Sequence, residues 1–236
     1  MRQVCRCLLY CIEMKVSIII PVLNEAGHIA DTLKSLESYR GQGHEVIVID
    51  GGSNDDTVSI AEQYADRVLR SNAGRAMQMN SGIDAASGDA LLFLHADTRL
   101  PAEAVSKIIN AVEDGCFWGR FNVRLSGKHL MFRIIERMMN MRSCITGVAT
   151  GDQAIFVSLE SIEIVGAYPR LPLMEDVVFS KRLRELGWPA CIRQPVLTSS
   201  RRWEDKGILR TMLLMWRLRL LFFLGVPADR LARQYQ

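Results

Sequence analysis

The hydrophobic residues of this chain form two kinds of pattern, which alternate along its first half. Residues 16–20 are a run of β-branched residues broken only by Ser17 that stops at Pro21, and a second run at 45–49, apolar after Glu45, stops at Asp50. Such runs are typical of strands buried on both faces of a parallel sheet. Between them, apolar residues recur at helical spacing from 29 to 36. The pattern therefore predicts a strand–helix–strand unit.

The same alternation continues to Gly115 and weakens after it. Further helices are predicted at 58–65, 76–86, 101–115, 130–141 and 175–186, and further strands at 67–70, 90–94, 117–125 and 154–157. This alternation favours three layers, with ligands bound at the carboxyl ends of the strands. We predict one α/β domain with a mixed, mainly parallel central sheet and a C-terminal helical extension.

The domain is predicted to span residues 15–206, between an N-terminal extension at 1–14 and an apolar, basic helical segment at 207–236. We expect Met14 to be the natural start, because Lys15 leads directly into the first strand. The apolar run at 8–12 is too short for a signal sequence. Cys5, Cys7 and Cys11 have no fourth ligand nearby, so a zinc site is not favoured.

Composition and charge narrow the class of protein. Hydrophobic residues make up 49% of the chain, which excludes a disordered protein. A formal net charge of +3 gives no reason to expect a nucleic-acid partner. The six cysteines form no CxxC pair and no regular disulfide framework, which favours a reducing, cytoplasmic location.

Polar residues follow the predicted strands, and we expect them to share one rim of the sheet. They are Glu25, Asp50, Arg75, His95 and Asp97. Asp50 either caps the next helix or accepts the imide N–H of a uracil base. Asp97 either caps a helix or binds a divalent cation together with phosphate oxygens. His95 could bind metal or diphosphate or lie on the surface, and Arg75 could be an ordinary helix-surface residue.

Six segments occur in an order and spacing that resemble the inverting family 2 glycosyltransferases of the GT-A fold. The resemblance covers nearly all of residues 15–205, and it is greatest to a small bacterial subgroup whose genes often accompany radical-SAM proteins. The matching segments are VSIIIPVLNE at 16–25, VIVIDGGSNDDT at 46–57, GRAMQMNSG at 74–82, LFLHADT at 92–98, GDQAIFV at 151–157 and MEDVVFSKRL at 174–183.

The resemblance implies a role for each matching position on the donor side. Nucleotide-sugar binding is implied for Pro21, Glu25, Asp50, Arg75 and His95. Asp97 matches the metal-binding end of the family's DxD motif and would hold Mn2+ or Mg2+. His95 stands where the family often has the first Asp of that motif, so its role is open.

On the acceptor side, Asp176 matches the catalytic base, and Asp152 and Glu175 match the region around the acceptor. An inverting transfer needs a carboxylate to take the proton of the attacking hydroxyl. The alternative for Glu175 and Asp176 is an ordinary pair of acids in the first turn of a helix.

The resemblance also bears on how many sugars are transferred. Processive members carry a QxxRW motif and transmembrane helices, whereas residues 199–203 here read SSRRW. We therefore expect transfer of a single sugar from a UDP-linked donor. Two alternatives stay open: a nucleotidyltransferase, which should have a Gly-rich basic loop after the first strand, and a sugar-nucleotide-binding pseudoenzyme, which the histidine at 95 favours.

The segment at 208–224 is apolar but interrupted by Arg210, Arg217 and Arg219. On a helical projection, the first two fall on one stripe and Arg219 lies almost opposite. This helix either packs on the domain or a partner subunit, or contacts the inner face of the cell membrane. In the second case a lipid-linked acceptor is expected.

Overall fold

A computed structural model of the protein describes residues 14–235. The three cysteines near the N-terminus, the apolar run at 8–12 and most of the predicted extension lie outside the described residues. The strands are β1 (Val16–Val22), β2 (Glu45–Asp50), β3 (Arg67–Arg70), β4 (Ala90–Phe93), β5 (Thr98–Arg99), β6 (Trp118–Leu125), β7 (Phe156–Ser158) and β8 (Ala190–Thr198). The helices are α1 (Ile29–Ser35), α2 (Glu37–Gly41), α3 (Thr57–Ala61), α4 (Arg75–Ala85), α5 (Ala104–Glu113), α6 (Leu130–Thr146), α7 (Leu159–Val165), α8 (Glu175–Leu186), α9 (Arg201–Lys206), α10 (Ile208–Phe223) and α11 (Ala228–Tyr235).

All eight strands join one mixed sheet in the order β3-β2-β1-β4-β7-β6-β8-β5. The first four in this order are parallel to one another. The next strand, β7, is antiparallel to both of its neighbours, and β8 lies parallel to β6. This arrangement confirms the predicted α/β class and the mixed sheet.

The two faces of the sheet bury separate apolar cores, which accounts for the unbroken hydrophobic strands. Ile18 and Ile20 point into the core shared with α1 and α5, whereas Ile19 points into the core shared with α4 and α8. Successive side chains of a strand point to opposite faces, so a strand covered on both sides must be apolar throughout. The three-layer prediction is therefore confirmed.

Several boundaries differ from the sequence prediction. The first strand continues through Pro21 to Val22, and α3 is shorter than predicted, ending at Ala61. Helix α6 extends five residues further, to Thr146, where Gly147 takes a left-handed conformation at φ 61° and ends it. The strand β8 was not predicted, because its exposed and half-buried residues lack a continuous apolar run.

The C-terminal helices pack on the domain through a small core of their own. Leu218 of α10 and Leu231 of α11 are fully buried against Met174 and Val177, which flank the start of α8. In the sequence prediction the domain ended at 206, and Gly207 does separate α9 from α10. The packing brings α10 to the same end of the sheet as the strand tips.

The structure also joins two cysteines that are far apart in the sequence. Cys144 of α6 and Cys191 of β8 form a disulfide across 47 residues, and Cys116 is free. The spacing of the cysteines predicted no disulfide framework, and this pair corrects that expectation. The two residues become neighbours only because α6 packs beside the β6–β8 strand pair.

Candidate active site

A pocket of about 390 Å³ lies at the carboxyl ends of β1 and β4, between them and the start of α8. Helices α6 and α10 form its outer walls. It is lined by eight of the nine residues that the sequence singled out: Pro21, Glu25, Arg75, His95, Asp97, Asp152, Glu175 and Asp176. Ligands of open α/β sheets bind at this end of the strands.

The ninth residue, Asp50, lies outside the pocket lining. Its carboxylate is almost fully buried and accepts hydrogen bonds from the backbone N–H groups of Gly52 and Ser53, at 3.1 and 3.0 Å. These bonds hold the turn that follows β2. Asp50 does not cap α3, whose N-cap is Asp56, six residues later, so the capping alternative is wrong. The contact of Asp50 with a nucleotide base stays a prediction.

Two carboxylates face the pocket from the strand ends. Burial, together with the nearby charge of Asp97, raises the pKa of the Glu25 carboxyl, while Arg201 opposes this shift. Arg201 approaches Glu25 at 3.9 Å and contacts His28 at 2.7 Å. The side chains of Glu25 and Asp97 thus crowd negative charge into one corner of the pocket, which favours a bound cation.

His95 packs tightly against Gly151. A Cβ atom added to Gly151 would lie 2.7 Å from the imidazole Nε2, so only glycine leaves room for the ring. That nitrogen is buried and has no hydrogen-bond partner among residues 14–235. Burial and the charge of Arg75 lower the pKa of His95 to about 3, so the ring is neutral. A buried polar atom without a partner is costly and indicates that the filled pocket supplies one.

The carboxylate of Asp176 is held in a fixed orientation. Its Oδ2 accepts the N–H of Gly151 at 2.9 Å, and its Oδ1 accepts the N–H of Val177 at 2.7 Å. Met174, two residues earlier at the N-cap of α8, has φ 67° and is nearly fully buried. A bulky residue in this left-handed conformation is strained, and such strain occurs at functional sites.

Two further acids stand beside Asp176. Burial and the charge of Asp176 raise the pKa of Glu175, and Arg75 opposes the shift from 3.7 Å away. Burial also raises the pKa of Asp152, against the hydrogen bond that its carboxylate accepts from the Thr150 hydroxyl. Two carboxyl groups with raised pKa values therefore surround a third that backbone amides orient.

The donor atoms at the strand ends fit a divalent cation. Mg2+ and Mn2+ bind through one or two carboxylates together with phosphate oxygens and water. Asp97 supplies such a carboxylate, and the unpartnered Nε2 of His95 lies in the same pocket. No three His, Cys, Asp or Glu side chains converge as a complete cage within 14–235. A cation held here would need ligand oxygens as well.

Sequence reasoning missed the contribution of the C-terminal helices to this pocket. Arg202 lies over the ring of Tyr235, 3.7 Å from its centroid, and its Nη1 donates to the Tyr235 hydroxyl at 2.5 Å. Trp216 and Arg219 of α10 also line the pocket. The SRRW segment marked Arg202, but no sequence signal placed Tyr235 against it.

Exposed apolar side chains run along the two helices that form the outer walls of the pocket. On α6 they are Leu130, Ile134, Met138, Met141 and Ile145, and on α10 they are Leu209, Leu213, Trp216, Leu220 and Phe223. We call these two rows the apolar stripes. Arg210 and Arg217 are exposed at the edge of the α10 stripe, whereas Arg219 points toward the pocket. The structure thus separates the three arginines that made the helix look poorly amphipathic. None of the helices within 14–235 is long and apolar enough to cross a bilayer.

The family model described as "Glycosyl transferase family 2" matches residues 17–157, which is more than half of the chain. The chain belongs to this family. The match contains β1, β2 and β4 with the strand-end residues described above and stops before Asp176. It confirms the resemblance to family 2, whereas the bacterial subgroup and the role of the segment at 174–183 stay predictions.

Among curated relatives of this family 2 member, undecaprenyl-phosphate 4-deoxy-4-formamido-L-arabinose transferases occur repeatedly. That of Pseudomonas savastanoi pv. phaseolicola is 30% identical over 42% of the chain and 33% of its own length. That of Klebsiella pneumoniae is 25% identical over 86% of the chain and 66% of its own length. The chain therefore spans about a third of the length of the first of these relatives.

Solved structures of glycosyltransferases share the fold. TarS of S. aureus in complex with UDP matches with a TM-score of 0.65 and 18% identity, over 79% of this chain and 60% of that one. The mannosyltransferase PcManGT of Pyrobaculum calidifontis, in complex with GDP-Man and Mn2+, matches with a TM-score of 0.60 and 22% identity, over 78% of this chain and 56% of that one. At these identities the likeness establishes the GT-A fold.

Proposed function

We propose that this protein is an inverting, non-processive glycosyltransferase that moves one sugar from a UDP-linked donor to an acceptor hydroxyl. The observation that carries the proposal is the convergence of Asp97 and Asp176 on one pocket, from the end of β4 and the start of α8. The carboxylate of Asp97 could bind a cation that also contacts the diphosphate. The carboxylate of Asp176 could accept the proton of an acceptor hydroxyl.

On the donor side, Pro21, Glu25, Arg75 and His95 would surround the nucleotide sugar. Asp97 would hold Mn2+ or Mg2+, which when bound offsets the charge of the departing diphosphate. Asp50 would approach the base at the turn formed by Gly51 and Gly52, where Gly52 borders open space. Support comes from the solved relatives that contain UDP or GDP-Man with Mn2+.

On the acceptor side, Asp176 would take the proton of the hydroxyl while its oxygen attacks the anomeric carbon. The two backbone N–H groups that donate to Asp176 fix the direction of its carboxylate. Asp152 and Glu175 would contact the acceptor. Burial raises the pKa of both carboxyl groups, and their oxygens can accept hydrogen bonds from hydroxyl groups of the sugar or the acceptor.

The acceptor is proposed to be lipid-linked, with the protein at the inner face of the cell membrane. Relatives named for undecaprenyl phosphate support this choice. So do the apolar stripes, because Met138 and Trp216 line the pocket and are also exposed at its mouth. An amphiphilic helix face with basic residues at its edge is typical of interfacial binding.

The donor half of the proposal is tested by titrating UDP calorimetrically with and without Mn2+. Mn2+ should strengthen UDP binding to the native protein. Asp97→Ala should bind UDP at least about tenfold more weakly and lose the response to Mn2+, because a charge-assisted contact contributes about 1.5–3 kcal/mol. Asp84→Ala, an exposed acid on α4, is the matched control.

Thermal-shift screening of nucleotide sugars then identifies the donor, because a ligand that binds only the folded state raises the stability of that state. A turnover assay with the identified donor follows. Metal response that survives Asp97→Ala would remove this residue from the site. Tight donor binding with no turnover on any acceptor would favour the pseudoenzyme.

A further inference from the structure

A second, smaller cavity of about 130 Å³ lies beside the active-site pocket. Three basic side chains line it, namely Arg142 of α6, Lys181 of α8 and Arg219 of α10, and no acidic side chain does. Val148, Phe222 and Phe223 supply apolar lining. Three cations from three different helices therefore meet around one apolar space.

Two of these cations carry unsatisfied hydrogen-bond donors. The Nη2 of Arg142 and the Nε of Arg219 are buried and have no hydrogen-bond partner among the residues that the structure describes. A buried N–H without an acceptor costs the desolvation of that group, and native structures leave few such groups. Both atoms lack an acceptor, and both side chains line the cavity.

The electrostatics require the same partner. Burial, together with the charge of Arg219, lowers the pKa of Arg142 to about 10. Two guanidinium groups close enough to repel each other are unfavourable unless an anion lies between them. The carboxylates that partly offset this charge, Asp152 and Asp176, line the large pocket and not this cavity.

We propose that this cavity binds the phosphate group of an amphiphilic ligand, whose hydrocarbon chain leaves along Phe222 and Phe223. Phosphate matches the donor set, because guanidinium groups bind its oxygens in pairs and an ammonium group adds a point charge. The apolar exit matches a hydrocarbon chain, since Phe223 is 79% exposed at the end of the α10 stripe.

The cavity lies where an acceptor would be recognised. Met174, Val177 and Arg219 line both this cavity and the large pocket. A phosphate at Arg142 and Arg219 would therefore anchor an acceptor whose hydroxyl reaches Asp176. This part of the inference rests on the proposed function, whereas the phosphate site itself does not.

The test measures the affinity of the full-length protein for decyl phosphate below its micellar concentration, with decanol and inorganic phosphate as comparison ligands. The variants are Arg142→Gln and the double variant Arg142→Gln/Arg219→Gln. Arg182→Gln is the matched control, because it lies next to Lys181 on α8 and lines neither cavity. Thermal melting without ligand checks folding. Relief of the repulsion should leave the Arg142→Gln melting temperature equal to or above that of the native protein.

We expect decyl phosphate to bind the native protein and Arg182→Gln equally. Binding should weaken about tenfold or more in Arg142→Gln and further in the double variant. Decanol and inorganic phosphate should each bind more weakly than decyl phosphate, because each lacks half of the recognised ligand. Equal affinity of decyl phosphate for the native protein and the folded double variant would overturn the proposal, as would inorganic phosphate binding as tightly as decyl phosphate.

Two further measurements are needed. The first distinguishes a phosphate on the acceptor from a phosphate in a bilayer headgroup, and the second distinguishes a failure of the phosphate site from a failure of the proposed function. Binding to phosphatidylglycerol vesicles should be unchanged in Arg142→Gln if the phosphate belongs to an acceptor, and a parallel loss on vesicles would identify a bilayer headgroup and overturn acceptor binding. UDP affinity should be unchanged in Arg142→Gln, because Arg142 does not line the large pocket. A native protein that binds decyl phosphate through Arg142 but never binds UDP would refute the proposed function while the phosphate site stands.

Discussion

Asp176 is the residue on which the proposed chemistry depends most directly. Replacing it with asparagine keeps the size of the side chain but removes the ability to take a proton at neutral pH, and the amide can accept only one of the two backbone N–H groups. We expect Asp176→Asn to lower kcat by about 100-fold or more, in line with the usual contribution of a general base. UDP affinity should change little, and the variant should stay folded with a slightly lower melting temperature, because one hydrogen bond is lost.

The matched control for this substitution is Asp205→Asn, which changes an exposed carboxylate of α9. Steady-state turnover with the donor identified by thermal shift is the measurement. Turnover of Asp176→Asn within a few-fold of the native enzyme would show that Asp176 is not the catalytic base.

At the scale of single residues, the acids that follow buried strands could be placed from the sequence. A residue directly after a buried parallel strand must lie at the carboxyl end of the sheet. Glu25 and Asp97 line the pocket for this reason. The sequence did not reveal that Gly151 must be glycine, because the clash with His95 arises between residues 56 positions apart in the sequence. Nor could it decide between a cap and a base contact for Asp50, since both need the same residue at the same place.

At the scale of elements, the contact between α6 and β8 gives a test that requires no ligand. The Cys144–Cys191 disulfide joins them, and Trp188 Nε1 also donates to the Cys144 carbonyl oxygen at 2.9 Å. A disulfide that closes a loop of this length usually stabilises a protein by about 2–4 kcal/mol. We expect Cys144→Ser to lower the free energy of unfolding by that amount, measured by urea denaturation.

Reduction of the native protein with dithiothreitol should lower its stability by a similar amount, and Cys144→Ser should not respond. Cys116→Ser, which changes the free cysteine of the described residues, should respond as the native protein does. Native stability that is insensitive to dithiothreitol would show that the two thiols are unpaired in solution, as the sequence had favoured. Because α6 forms a wall of the active-site pocket, the crosslink also ties that wall to β8.

The elements that could be predicted from sequence are those whose burial is complete. Both β1 and β2 are buried along almost their whole length, and their apolar runs show it. β8 alternates irregularly between half-buried and exposed residues and pairs with β6 across a register shift, so no period marks it. The long helix α10 was predicted, but its orientation depends on the packing of Leu218 and Leu231, which the sequence alone does not specify.

At the scale of the whole molecule, the two apolar stripes and the two cavities lie on the same side of the domain. α6 and α10 carry the stripes and also line the large pocket. The exposed arginines at the edge of the α10 stripe, Arg210 and Arg217, have no acidic neighbour on that helix. A surface with this composition is complementary to an anionic bilayer, which would present a lipid-linked acceptor directly to the pocket.

This arrangement predicts that the full-length protein co-sediments with phosphatidylglycerol vesicles at low salt and is released as the ionic strength rises. The double variant Leu213→Glu/Leu220→Glu should lower the partition coefficient more than about tenfold, because it removes two apolar contacts and adds two charges that the bilayer repels. Ile164→Glu is the matched control, since it changes an equally exposed apolar residue, 56% accessible, on α7 outside the stripes. Sedimentation velocity without vesicles then separates membrane binding from self-association through the same surface. A native protein that stays in the supernatant at low salt would contradict membrane binding and make a water-soluble acceptor the better proposal. A dimer that the double variant disrupts would show that the apolar stripes bind a second copy of the chain.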